Sequence, residues 1–414
     1  MAILKPFKGI RPVKEKAEKV ASRPYDVLNS QEARVEVDGN PDSFLHVLKP
    51  EIDLPEGTDV YSQEVYNKGR ENFNTMLREG VLMQDDTECL YVYAQKMNGQ
   101  TQYGLVGCAS VEDYFNDVIK KHELTRPDKE KDRMTHVDVT NINAGPVFLT
   151  YPDVLEMDDI INDIIQNDPE YDFTAVDGIR HTLWVVGDDD HINKLVDLFD
   201  QVPATYIADG HHRTASAALV GKSRKENNPS HNGDEEYNYF LAVHFPASQL
   251  NIIDYNRVVK DLQGLTSEEF IQKLSENFEV NEVGSEPFKP SHLHDFGMYM
   301  DDKWYSLKAN EETYDDNDPI GVLDVTILSN QILDPILAIK DLRTDKRIDF
   351  VGGIRGLGEL EKRVDSGEMK VAFALFPVSI EQLINISDTN NIMPPKTTWF
   401  EPKLRSGLIV HSLN

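Results

Sequence analysis

Asp209, Gly210, His211, His212 and Arg213 form one run, directly after the apolar Tyr206-Ile207-Ala208 and directly before Thr214-Ala-Ser-Ala-Ala-Leu-Val220. The run supplies a carboxylate, a residue without Cβ, two imidazoles and a guanidinium. Strand character lies behind it and good helix formers lie ahead. A polar cluster at a strand-to-helix turn meets backbone N–H groups that have no intrahelical partner. It also meets the positive end of the helix dipole, and together these suit a phosphate. There Gly210 allows a close backbone approach. Arg213 can fork onto phosphate oxygens, and His211 or His212 can donate to them or move a proton. The plainer alternative is a capping Asp209 with incidental histidines on a surface helix. So many functional side chains behind a buried strand favour a site.

Other residues offer weaker versions of the same chemistry. In the charged segment from His122 to Arg133, Glu123 can act as a general base, Lys129 and Arg133 as phosphate contacts, and Asp132 as a magnesium ligand. On composition alone that segment reads as a solvated loop. His136 and Asp138 can equally be one face of a strand. Lys396, Lys403 and Arg405 flank Trp399 and Phe400, a combination that can stack a base and neutralise phosphate, or simply pack as a tail. Arg23, Tyr25 and Asp26 are candidates on similar terms, although Arg-Pro-Tyr-Asp is also a good turn. Gly352-Gly353-Ile354-Arg355-Gly356-Leu357-Gly358 lacks the dinucleotide spacing and reads as a connector. The chain has no phosphate-binding loop of the G-x-x-x-x-G-K-[ST] kind, no protein-kinase set and no G-x-S-x-G elbow. His122 has no histidine partner four residues on, and Cys89 and Cys108 lack zinc spacing. Magnesium, which prefers oxygen ligands, is the more natural cation.

The run Asp209-Gly210-His211-His212-Arg213 resembles the signature of the ParB/sulfiredoxin-like superfamily, which includes free-serine kinases. Over nearly its whole length the chain resembles the family called domain of unknown function 1015. That likeness includes Arg23 to Val27, His122 to Thr125, Asp132-Arg133, Gly145 to Phe148, Asp254 to Val259, and Met393 to Phe400 with Pro402-Lys403. The resemblance implies a nucleotide-dependent phosphotransferase acting on a small hydroxyl compound, with free L-serine as first substrate and O-phosphoserine as product. ATP or ADP with Mg2+ would be the cofactors. Asp209, Glu123 and His211 would be catalytic, with Asp209 or Glu123 taking the hydroxyl proton. Gly210, His212, Arg213, Arg133, Lys129 and Lys396 would hold the nucleotide, and Asp132 the metal. A phosphatase acting on a phosphomonoester and a nucleotide-gated protein-binding module stay open as alternatives. Sulfiredoxin-like repair is disfavoured because histidines precede Arg213 where that chemistry needs a cysteine.

Bulk composition narrows the setting. The formal charge of −30 opposes a polyphosphate backbone, so no nucleic-acid partner is expected. No apolar run approaches a membrane span and the first residues lack a secretion signal, so a cytoplasmic location is expected. The oligomeric state is not readable. The element pattern gives an α+β fold class with mixed sheets; the resemblance implies a ParB/sulfiredoxin-like core at about 120–260, with a further C-terminal α+β region. The boundary is placed at 265, where Thr266-Ser-Glu-Glu opens a capped helix. A hairpin is expected around Asn98-Gly99, a helix from Val111 to His122 capped by Ser110, and a polar loop at 222–236.

Overall fold

Asn98-Gly99 turns the chain with both residues at positive φ, +51° and +84°. This is the primed hairpin geometry that matches strand twist. The computed structural model describes Met1–Asn414 and divides into two units. The first comprises Met1–Lys121, Thr125–Leu250 and Pro402–Asn414; the second comprises His122–Leu124 and Asn251–Glu401. Both mix α and β, as expected. The boundary placed at 265 falls within the second unit, although the capping box at Thr266 is present as expected.

The first unit carries a nine-stranded sheet. Its strands are β1 (Leu4–Lys5), β2 (Leu90–Met97), β3 (Gln100–Ser110), β4 (Ile119–Lys120), β5 (Val147–Tyr151), β6 (Tyr171–Thr174), β7 (Arg180–Val186), β8 (Thr205–Asp209) and β9 (Tyr239–Pro246). They pair in the order β4-β8-β5-β9-β3-β2-β7-β6, with β1 on β3. Three helices bear on the site: α1 (Gln63–Arg78), α2 (Pro127–Thr140) and α3 (His211–Asn227). The small residues of α3 allow close packing, so Ala217 and Ala218 lie against Val147, Leu149, Ile207 and Phe240. At Gly221 an added Cβ would stand 2.3 Å from the Tyr237 carbonyl, so only glycine fits that approach. A separate apolar cluster joins Leu90, Val92 and Leu105 to Met157, Ile161, Leu195 and Phe199.

Three expectations need correction. The helix capped by Ser110 ends at Phe115, not His122. Asp117 turns left-handed at φ +59°, and Ile119-Lys120 then pairs alongside β8. The charged segment does not stay a loop: Pro127 takes the first helical position and Asp128 and Glu130 fill the first turn of α2. His136 and Asp138 are therefore helical, and His136 is buried. At 222–236 the helix α3 runs on to Asn227.

The second unit holds a six-stranded sheet. Its strands are β10 (Tyr255–Val259), β11 (Phe278–Gly284), β12 (Asp295–Met300), β13 (Lys303–Ala309), β14 (Ile348–Gly352) and β15 (Val371–Leu375). Their order is β11-β13-β12-β15-β10-β14, and Val258, Trp304, Leu360 and Ala372 form a core on it. Within this unit burial pushes the Asp324 carboxyl up to about 7. Its Oδ1 accepts from the His294 N–H at 2.8 Å, while Oδ2 has no hydrogen-bond partner.

A carboxyl raised in the folded state favours folding fully below its unfolded value and loses that contribution as pH rises through the folded value. Asp324→Asn should therefore gain stability relative to the parent protein by about 2–3 kcal/mol between pH 5 and pH 8. Urea denaturation at the two pH values measures the difference, and a pH-independent gap would contradict the assignment.

Candidate functional site

Strand β8 pairs antiparallel with β5, and its register slips between Ile207 and Asp209. Such an irregularity re-aims a side chain at a strand end. Gly210 follows at φ +98° and is the residue that precedes the first turn of α3. The capping residue is thus the glycine, and Asp209 is released from capping to pair with charge. One Asp209 oxygen accepts from Arg213 Nη2 at 2.7 Å, and the other from Lys403 Nζ at 3.3 Å. Burial alone would raise this carboxyl, but Lys403 and Arg213 more than offset it and hold it well below the usual carboxylate range. Asp209 is consequently a poor proton acceptor at neutral pH.

The Arg213 side chain is only 9% exposed. Besides Asp209 it donates from Nη1 to the Pro146 carbonyl, and its buried Nε has no hydrogen-bond partner. Its pKa is raised, because the charge of Asp209 outweighs the cost of burial. Arg213 also lines a cavity that includes Tyr25, Arg133, His136, Ser216 and Ser406. Arg133 stacks over the Tyr25 ring at 4.2 Å and pairs with Asp132 at 2.8 Å. Burial, reinforced by Asp26, pushes the Tyr25 phenol up to about 12, against the pull of Arg133 and Arg213. Burial and the charge of Arg133 push His136 down to about 4, so it is neutral at physiological pH, with Nε2 on the Val47 carbonyl at 2.9 Å.

The first unit thus brings Asp209, Gly210 and Arg213 together, and places Arg133 on the same cavity as Arg213. His211 is buried at the start of α3, and His212 Nε2 accepts the Arg126 backbone N–H at 3.0 Å. Lys129 donates to the Tyr61 hydroxyl at 3.2 Å. Asp132 does not fit the metal role as it stands. Its Oδ1 accepts from Tyr66 at 2.9 Å and its Oδ2 from Arg133. Among the described residues, no group of three or more His, Cys, Asp or Glu could hold a metal ion. Glu123 and Lys396 belong to the second unit. There Lys396 is left-handed at φ +60°, and its carbonyl accepts from the buried Arg257 at 2.9 Å. Of the basic set near the C-terminus, Lys403 is the residue delivered to Asp209. Only its lysine chemistry, not its position, was readable beforehand.

A family model described as protein of unknown function, DUF1015, matches residues 4–326. No curated protein matches the chain. Solved structures with similarity include a free serine kinase in complex with AMP, 13% identical, covering 72% of this chain and 86% of that one, at a TM-score of 0.35. A conserved hypothetical protein from Pyrococcus furiosus is 14% identical over 73% of this chain and 93% of its own, also at 0.35. SbnI with a C-terminal truncation, from Staphylococcus aureus, is 10% identical over 72% and 82%, at 0.38. Likenesses at these scores carry no functional weight.

Gly210→Ala should cost about 1–2 kcal/mol, the usual penalty for left-handed backbone with a Cβ. The new Cβ would also press on the Arg213 guanidinium at 3.1 Å. Chemical denaturation tests this, and unchanged stability would show that the turn relaxes freely.

Proposed function

The chain belongs to the DUF1015 family, and from that premise we propose that it is a nucleotide-dependent phosphotransferase whose phosphate site is the N-terminus of α3. One observation carries the reading. Arg213 is buried at that helix start, anchored by Asp209 and Pro146, and its Nε has no hydrogen-bond partner. A buried donor without an acceptor costs free energy, and a ligand oxygen is the group that would satisfy it. The N–H groups behind Gly210 add the helix dipole to the same spot.

In the proposed reaction, the oxygen of a small hydroxyl compound attacks the terminal phosphorus of ATP or ADP. The bond from that phosphorus to the leaving nucleotide oxygen breaks as the new P–O bond forms. The hydroxyl proton passes to a carboxylate. Free L-serine, giving O-phosphoserine, is the first acceptor we propose. Positioning and charge neutralisation account for most of such catalysis, and an arginine at a helix start supplies both. Asp209, committed to two cations, serves to orient Arg213. His211, His212 and Lys129 are secondary candidates for holding phosphate. Magnesium, which neutralises phosphate charge when bound, would arrive on the nucleotide, because Asp132 is engaged by Tyr66 and Arg133.

Purified protein with magnesium and ATP or ADP, assayed against a panel of amino acids for phosphorylated product, tests the proposal. Serine-dependent product is expected; phosphate release independent of any acceptor would contradict it. Arg213→Ala should lower turnover by about 10²–10³-fold, the range for a removed transition-state donor, and parent-like rates would remove Arg213 from the mechanism.

A further inference from the structure

We propose that Lys403 leaves Asp209 to contact the ligand's phosphate, and that Gln95 and Arg405 are positioning residues that deliver it. This deepens the function proposed above and rests on its anion site at Arg213.

The two cations on Asp209 are held unequally. Arg213 sits at 2.7 Å, is 9% exposed and has a second anchor in the Pro146 carbonyl. Lys403 sits at 3.3 Å and is 19% exposed. Arg213 is therefore the fixed member and Lys403 the one with the longer, more solvent-reachable contact. A lysine ammonium is a compact charge with three donors on a flexible stem, suited to following a phosphate that moves. Asp209, Arg213 and Lys403 together carry one net positive charge, local to a chain whose formal charge is −30. An arriving anion would meet a complementary field there.

The backbone around Lys403 is held by buried polar groups that this role would explain. Gln95, 1% exposed, donates from Nε2 to the Lys403 carbonyl at 2.9 Å. Its Oε1 accepts from the equally buried Gln102 at 3.0 Å. Two residues beyond Lys403, the buried Arg405 side chain donates from Nε to His181 Nε2 at 3.2 Å and from Nη2 to Asp177. Burial and the charge of Arg405 push His181 down to about 3, so its ring is neutral. With Nε2 accepting from Arg405, the ring proton lies on Nδ1 and points at the Tyr93 hydroxyl, 2.7 Å away. That hydroxyl in turn accepts the Arg405 backbone N–H at 3.4 Å. Buried polar groups cost free energy unless satisfied, and these satisfy one another while fixing the chain on both sides of Leu404. The main chain is pinned on both sides of Leu404, so the proposed displacement involves the Lys403 side chain rather than its backbone.

The test is calorimetric titration of the full-length protein with ADP and with pyrophosphate. Lys403→Ala should weaken both by about 10–100-fold, the range for a lost charge-assisted hydrogen bond, and Lys403→Arg should recover most of that loss. Gln95→Met and Arg405→Lys should each weaken binding by about 3–10-fold, and their effects should vanish in the Lys403→Ala background. Losses that persist in that background would mark them as merely structural and overturn the positioning claim. If Arg213→Ala weakens binding but Lys403→Ala does not, the role of Lys403 fails while the anion site stands. If the parent protein binds neither ligand, the functional reading itself fails.

Discussion

The arrangement depends on one ion pair: Arg213 reaching back one helical turn to Asp209 across a left-handed glycine. The two side chains are four residues apart, the spacing at which a helix start faces the strand that feeds it. The pair is partly buried, so the Arg213 charge is tolerable because Asp209 is present, while Asp209 is also neutralised by Lys403. Removing one partner from a buried pair typically costs about 3–5 kcal/mol. The geometry also divides labour. The carboxylate is kept ionised and weakly basic by its cations, while the guanidinium keeps a buried Nε donor without a hydrogen-bond partner. A strand-end irregularity before Asp209 and the positive φ of Gly210 are the backbone conditions that make this possible.

The surrounding elements position that pair with little else to do. The alanine-rich face of α3 lets the helix settle close to β5 and β9, which fixes where its first turn points. Helix α2 crosses it with Ser216 donating to the Glu130 carbonyl at 3.2 Å, and α1 steadies α2 through Tyr66 and Asp132. Arg133, Tyr25 and the neutral His136 then close the cavity beside Arg213. Within the first unit the C-terminal segment bridges Ser406 to Ser22 and Val410 to Ile10, and pairs His411-Ser412 antiparallel with Ile142-Asn143.

Local chemistry was legible in the sequence, and long-range delivery was not. Asn98-Gly99 and the capping box at Thr266 were both readable, because each depends on neighbouring residues alone. The run Asp209 to Arg213 was readable as a strand-to-helix site for the same reason. The helix after Ser110 was overextended because the left-handed Asp117 leaves no pattern in hydrophobicity. The charged segment up to Arg133 read as a solvated loop on composition alone, and His136 with Asp138 as a possible strand face, yet Asp132 and His136 lie buried in one helix with partners distant in sequence, Tyr66 and Val47. Lys403 reaches Asp209 across 194 positions of sequence, a contact that no local pattern encodes.

A crystal structure of the full-length protein with ADP bound would test the central claim most directly. The account predicts phosphate density at the first turn of α3, within hydrogen-bonding distance of Arg213 and the backbone N–H groups after Gly210. Phosphates seated in another cleft, with Arg213 still closed on Asp209 and its Nε still without an acceptor, would contradict it.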